Sequence, residues 1–226
     1  MARSISIGTP TAGTPSDRTR AAVVVAHPDD EILWSGGLIL SHPEWCWWIV
    51  TLCRASDPDR APKFRRVLEF LGSDGEMADL DDGPDQEPLD HETLYQTVQR
   101  LLRGRQFDLV ITHGPRGEYT QHRRHEECCR AIVELWKNGL VQTDALWLFA
   151  YEDGGGAHLP RVIDGADLRL GLNEGVWSEK RRLITELYGF SETSWEARCT
   201  PREEGFRIFR SPRAAVDFLE TTKEPP

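Results

Sequence analysis

The sequence predicts an α/β fold, a mainly parallel sheet with helices on both faces, and three observations carry that expectation. Short apolar runs of strand character alternate along the chain with longer segments whose apolar residues recur at three- and four-residue spacing. The first run, Ala21–Ala26, is apolar at every position, as a strand covered on both faces must be. No internal repeat or low-complexity segment interrupts the alternation, and 226 residues suffice for one domain with a substantial core.

Residues 1–20 are polar and rich in Gly, Pro, Ser and Thr, and read as a disordered tail. Ala21–Ala26 is the first strand. Trp34–Ser41 follows as a short helix begun near Ser35-Gly36-Gly37. Trp45–Cys53, rich in Trp, Ile and Val, is the second strand. In Pro62–Leu71 the residues Phe64, Val67, Leu68 and Leu71 share one helical face, and Gly72 supplies the stop. Glu76–Leu80 is a short third strand, and Asp81–Asp90 an acidic loop containing Gly83, Pro84 and Pro88. His91–Leu102 places Leu94, Val98, Leu101 and Leu102 on one side of a helix. Phe107–Thr112 is the fourth strand, Glu126–Lys137 a helix and Ala145–Tyr151 the fifth strand. Gly154-Gly155-Gly156 makes a flexible loop, Leu168–Leu172 a further strand and Glu179–Tyr188 a last helix. Glu192–Pro201 carries no functional signal, and 213–226 reads as a C-terminal tail, so the domain runs over 21–212.

Strands joined by crossover helices give a Rossmann-like sheet, with ligands bound beyond the carboxyl ends of the strands where strand order reverses. For a core order of 3-2-1-4-5, strands one and four are neighbours at that point. The formal net charge of −10 argues against nucleic acid or an anionic membrane surface as the partner. No apolar run approaches the ~20 residues of a membrane span, and the N-terminal stretch lacks the charged-then-apolar order of a signal peptide. Five cysteines, an odd number without a Cys-x-x-Cys, suit a reducing cytoplasm better than a disulfide scaffold. Cys128 and Cys129 read as ordinary helix residues.

The chemistry begins where the first strand ends, in His27-Pro28-Asp29-Asp30-Glu31. Three clustered acids at a strand tip repel one another and desolvate badly. A cation there reverses the sign of that cost. The fourth strand runs into Thr112-His113-Gly114-Pro115-Arg116-Gly117-Glu118-Tyr119, and then into Thr120-Gln121-His122-Arg123-Arg124-His125. Four of the seven histidines, His27, His113, His122 and His125, thus follow the two strands expected side by side. His27 and Asp30, three apart, can reach one ion from a tight turn, with His125 as a third ligand. Two imidazoles and one carboxylate leave an open position, the arrangement of a catalytic rather than a structural zinc. The same set also suits Fe(II), Mn(II) or Co(II).

Ala26-His27-Pro28-Asp29-Asp30-Glu31, with a downstream His-x-x-His after Gly117-Glu118-Tyr119, resembles the PIG-L/LmbE-like zinc-dependent N-acetylglucosaminyl deacetylase family over roughly 21–188. The resemblance implies that His27, Asp30 and His125 hold the metal. It makes Asp29 the general base and His122 the group that stabilises the tetrahedral oxyanion, while Glu31 orients the turn. It suggests substrate contacts from Arg60 and Asp82, and the same rim offers His113, Tyr119 and Glu152. The implied activity is removal of an acetyl group from an N-acetylglucosamine-like moiety of a small glycoside by a cytoplasmic enzyme, one that self-association would suit. The sequence departs from the family in its second motif. The usual Gly-His-Pro-Asp-His is Gln121-His122-Arg123-Arg124-His125, so an arginine replaces the acid. The first helix-opening Arg60 is followed by Lys63 where an acid is usual, and Tyr119 stands one residue further from His122 than expected. Two other readings share these residues: an amidase for a bulkier acyl group or thiol conjugate, and a metal-containing ligand-binding domain without catalysis. Trp34 is expected to seal the site, and the glycine loop after Tyr151-Glu152-Asp153 to form a mobile wall.

Overall fold

The computed structural model describes residues 18–119 and 122–222. The expected tail over 1–17 and the last four residues lie outside them. The elements are β1 (Arg20–Val25), α1 (Asp30–Ser41), β2 (Cys46–Thr51), α2 (Arg60–Leu71), β3 (Asp74–Met77), α3 (His91–Leu102), β4 (Leu109–Thr112) and α4 (Arg123–Lys137). There follow β5 (Leu146–Phe149), β6 (Tyr151–Glu152), β7 (Arg161–Val162), β8 (Leu168–Gly171), α5 (Glu174–Arg182), α6 (Trp195–Cys199), β9 (Glu203–Phe209) and α7 (Pro212–Thr222).

Seven strands form one sheet in the order β3-β2-β1-β4-β5-β9-β8. The first five are parallel, giving the 3-2-1-4-5 core expected from the sequence. β9 and β8 extend it antiparallel, and β6 and β7 make a separate short hairpin. β1 is central, with Val23 in register with Ile49 on β2 and Ile111 on β4. Its unbroken apolar run has a simple cause. Ala22 and Val24 join the core beneath α3, α4 and α7, while Ala21, Val23 and Val25 join the one beneath α1 and α2. Both faces are covered, so neither can be polar.

The differences from the sequence reading fall where tertiary contacts outweigh local pattern. α1 begins at Asp30, four residues before the expected start, because the Asp29 carbonyl accepts from the Ile32 and Leu33 amides. The two acids of its first turn face the positive end of the helix dipole. α4 likewise begins at Arg123, with His122 at its N-cap, which puts His125 in the first turn. The expected last helix splits into α5, capped by Asn173, and a π-helical turn over Leu183–Leu187. β9 and α7 were not expected. β9 reads Glu-Glu-Gly-Phe-Arg-Ile-Phe, whose alternation is broken by charge, and α7 buries only Ala215 and Leu219. The segment read as a C-terminal tail is therefore helical up to Thr222. Among the described residues no helix is long and apolar enough to cross a membrane.

One buried ion pair ties the antiparallel edge to α1. Glu204 on β9 accepts from Lys180 Nζ at 2.6 Å and from the Gly37 and Leu38 amides at 2.6 and 2.8 Å, with both charged side chains fully buried. Gly37 permits this approach, since a Cβ there would stand 2.4 Å from a Leu172 methyl. Removing one partner of such a pair leaves an uncompensated charge. Lys180→Met is expected to lower the unfolding free energy by about 3–5 kcal/mol, read from the urea midpoint, and adding Glu204→Gln should recover part of the loss.

Candidate metal centre and its cleft

The carboxyl ends of β1 and β4 lie side by side, so the turn after each strand opens into the same space. After β1 the chain turns at Pro28 and Asp29, and His27 and Asp30 come together. Asp30 Oδ2 lies 3.2 Å from His27 Nδ1 and 3.3 Å from His125 Nε2, and accepts from the His27 amide at 2.9 Å. Its other oxygen accepts from the Trp34 indole at 3.2 Å. His27, His122 and His125 each offer a ring nitrogen within 4.8 Å of the others. His122 stacks on His125 with ring centroids 4.4 Å apart. The chain thus gathers the five residues Asp29, Asp30, His27, His122 and His125 that the sequence singled out.

A carboxylate stands behind each of the two candidate metal histidines. Asp82 Oδ1 lies 3.1 Å from His27 Nε2, which leaves Nδ1 facing Asp30. Glu118 Oε2 lies 2.6 Å from His125 Nδ1 and 2.8 Å from His113 Nδ1, while its second oxygen accepts from the Gly114 amide. His125 Nε2 is therefore the nitrogen aimed at Asp30, and it is buried without a hydrogen-bond partner of proper geometry. A buried polar atom without a partner is rare in a folded protein and marks a place where a ligand or ion is met. Carboxylates that fix the far nitrogen of a ligating imidazole are the usual support of a metal site. Three donors, two fixed tautomers and one orphaned nitrogen suit a divalent cation held by His27 Nδ1, Asp30 Oδ2 and His125 Nε2.

The charges of the metal-free protein carry the same imprint. Burial pushes the Asp30 carboxyl up, yet the surrounding histidines outweigh it and hold Asp30 well below the ordinary carboxylate range. Burial lowers His125, but Asp30 and Glu118 outweigh it and raise it to about 10. His122 goes the other way. Burial, then the charges of His125 and His27, push it down to about 3. Its Nδ1 is buried and unpartnered among the described residues.

Asp29 carries the most strained backbone at the site, with φ of 123°, a region that side-chain-bearing residues seldom enter. Its amide donates to Glu31 Oε2, whose other oxygen accepts from the Tyr188 hydroxyl, and Glu31 is fully buried. Burial raises Glu31 to about 7. The π-helical turn before Tyr188 thus has a consequence at the site, since it sets the residue that braces the Asp29 turn. The Asp29 side chain is bound at 3.0 Å by Arg60 Nη1. Burial and the neighbouring Asp30 raise its carboxyl well above the ordinary value, and Arg60 opposes them.

A cleft of about 230 Å³ opens over this cluster, walled by Asp29, Arg60, Tyr119, His122, Trp195 and Glu196 among others. Arg60, Asp82 and Tyr119, suggested as substrate contacts, reach it. Asp82 does so while bonded to His27 and Arg54 rather than as a solvated loop charge. His113 does not reach it: the ring is fully buried, stacked on His125 at 3.8 Å, and accepts from the Ala26 amide. Glu152 is also outside, half-exposed and paired with Arg161 at 3.1 Å. The glycine loop lines a neighbouring cavity with Tyr119 and Tyr151. Trp34 is sealed beneath the turn, fully buried.

Sequence reasoning missed Glu118, Arg54, Trp195 and Glu196. Glu118 had a signal, an acid between two histidine clusters. Trp195 had none, because nothing in its local pattern shows that its ring packs on Tyr119 at 4.6 Å.

An open α/β sheet thus carries a His/Asp cluster and a neighbouring carboxylate where its strand order reverses, the place where such sheets bind ligands. The family model described as "PIG-L: GlcNAc-PI de-N-acetylase" matches residues 22–136, and the chain belongs to that family. Among curated proteins, "Uncharacterized protein L374" of Acanthamoeba polyphaga mimivirus is 25% identical over 127 residues. The match spans 50% of this chain and 56% of the viral protein, so the chain covers little more than half of that relative's length. Three solved structures share the fold. N,N'-diacetylchitobiose deacetylase from Pyrococcus horikoshii aligns with a TM-score of 0.65 at 16% identity, over 90% of this chain and 86% of that one. The 4-carboxy-2-hydroxymuconate hydratase GalB from Pseudomonas putida KT2440 gives 0.61 at 20%, over 84% and 95%. The zinc-inhibited form of teicoplanin deacetylase Orf2 gives 0.60 at 13%, over 85% and 99%.

The raised pKa of His125 sets a pH dependence. Its protonation stabilises the metal-free fold fully below the unfolded value near 6.5, and that contribution is lost as pH rises through about 10. The Tm of chelator-treated protein is expected to fall from pH 6.5 toward 10, less steeply once zinc is added. A Tm that climbs over this range would contradict the assignment.

Proposed function

We propose that this protein is a metal-dependent N-deacetylase that removes the acetyl group from an N-acetylglucosamine-like unit of a small glycoside or glycoconjugate. The observation that carries the reading is Asp29. It is a carboxylate beside the donor cluster that is not needed as a donor, turned into an open cleft and held by Arg60. A site built only for structure has no use for a spare base. Family membership supports amide hydrolysis of an acetylated sugar amine. The fold alone does not choose the reaction, since a structure named as a hydratase shares it.

His27, Asp30 and His125 would hold the cation, zinc being the reading that needs no redox chemistry. Bound there, it would supply Lewis acidity, polarising the acetamide carbonyl and making water easier to deprotonate. Asp29 takes the proton of the attacking water, since its Arg60 partner and a nearby dication both favour its ionised form. It then returns that proton to the nitrogen of the leaving amine. His122 is neutral in this environment, and a dication would oppose its protonation further. It therefore stabilises the developing oxyanion as a neutral N–H donor, not as an imidazolium. Arg60 holds the Asp29 carboxylate in place, stacked over Phe190 at 4.4 Å.

The cleft is smaller than the ~300–1,000 Å³ that encloses a drug-sized ligand. It suits the reacting end of a substrate, with the remainder outside against the exposed Trp195. The direct test is fluorescamine detection of free amine from N-acetylglucosamine glycosides and matched longer-acyl analogues, using zinc-loaded protein. Release from acetylated members, and a loss of about 10²–10⁴-fold in Asp29→Asn, is expected. Preference for the longer acyl chains would instead support the amidase reading, and wild-type turnover in Asp29→Asn would overturn the role given to Asp29. Trp195→Ala is expected to raise KM for glycosides with kcat largely kept, the pattern of lost ground-state contact.

A further inference from the structure

The loop over 81–90 has no regular structure, yet it reaches the metal centre through one residue and is fastened by another. Asp82 Oδ1 meets His27 Nε2 at 3.1 Å and also accepts from Gln86 Nε2 at 3.0 Å. Arg54 Nε donates to its other oxygen at 2.8 Å. The fastening comes from α4. Arg124 is 1% exposed, and all three guanidinium nitrogens are used. Nε donates to the Asp81 carbonyl at 2.6 Å, and Nη2 to the Glu87 carbonyl at 2.8 Å and to Asp81 Oδ2 at 3.3 Å. Nη1 donates to Glu127 Oε2 at 2.7 Å, and Glu127 itself receives the Leu89 amide at 2.9 Å.

Arg124 stands between His122 and His125, in the first turn of α4. A carboxylate at 124 could donate to neither of these carbonyls and would repel Asp81 and Glu127. The loop geometry seen here therefore requires the arginine. Its planar fork suits several oxygens held in fixed directions.

We propose that Arg124 and Asp82 act as one positioning unit for the metal. Arg124 clamps the two ends of the 81–87 segment, and Asp82, thus placed, holds the His27 ring with Nδ1 aimed at Asp30 and His125. Asp82 is in this view a support of the metal histidine rather than a sugar contact, and Arg124 acts on the metal only through it. The proposal rests on the metal-site reading above.

The test measures metal binding rather than turnover, with the full chain. Zn2+ affinity is read by competition with a chromophoric chelator, and the Co2+ absorption spectrum reports ligand geometry. Asp82→Asn, which keeps shape, is expected to weaken affinity by about 10–100-fold, the usual effect of losing such a support. Arg124→Gln should weaken it in the same direction and shift the Co2+ spectrum, with Arg124→Lys intermediate. The double variant should bind no more weakly than Asp82→Asn alone, because the two act in series. Should Arg124→Gln fail to unfold cooperatively, Asp82→Asn and Arg124→Lys carry the test. Wild-type affinity and spectrum in Asp82→Asn would overturn the proposal. So would an Arg124→Gln variant that loses Tm but binds metal normally, since Arg124 would then be a brace for stability alone. A wild-type chain that binds neither ion would remove the metal reading itself and this inference with it.

Discussion

Everything at this site follows from the Asp30 carboxylate, which is buried within hydrogen-bond distance of two imidazoles and next to two further acids. An isolated buried carboxylate would take up a proton. Here His27, His125 and His113 surround it closely enough to keep it ionised. The same clustering raises His125, lowers His122 and raises Asp29. A divalent cation would resolve the conflict from one position, so the arrangement has the character of a metal site before any relative is considered.

The scaffold supplies what that cluster needs. β1 and β4, as adjacent parallel strands, deliver two turns to one spot, and α1 and α4 each begin within a residue or two of the donors. Donors at the starts of helices are held by the backbone as well as by side chains. Behind them stand buried acids: Glu118 on His125 and His113, Asp82 on His27, Glu31 on the Asp29 turn. Each accepting carboxylate fixes a ring or a backbone amide, so the groups that face the cleft are held in fixed orientations.

The strained Asp29 backbone belongs to the same logic. A residue at φ 123° persists only where its surroundings over-determine it. Glu31, through Tyr188 on the far side of a π-helical turn, and Arg60, from the start of α2, do so from opposite sides. The Asp29 carboxyl is thereby presented to the cleft instead of being folded back as a helix cap, and no side-chain capping bond competes for it.

Sequence alone determined the parallel core and pointed to the cluster of histidines and acids beyond it. Both are written in local pattern: apolar runs of strand length with helical spacing between them, and a His-Pro-Asp-Asp-Glu run that makes no sense as core. What it could not determine was anything set by contacts between distant segments. β9 and α7 have weak local signals and exist because β5 offers an edge and α4 an apolar face. His113 looked like a rim residue and is an inner support, because only the fold brings Glu118 and the Ala26 amide to its two nitrogens. Asp82 looked like a substrate contact and is bonded to His27 and Arg54, and Trp195 looked like nothing at all. Burial and pairing across the chain, not residue type, decided which polar groups face the cleft and which hold the ones that do.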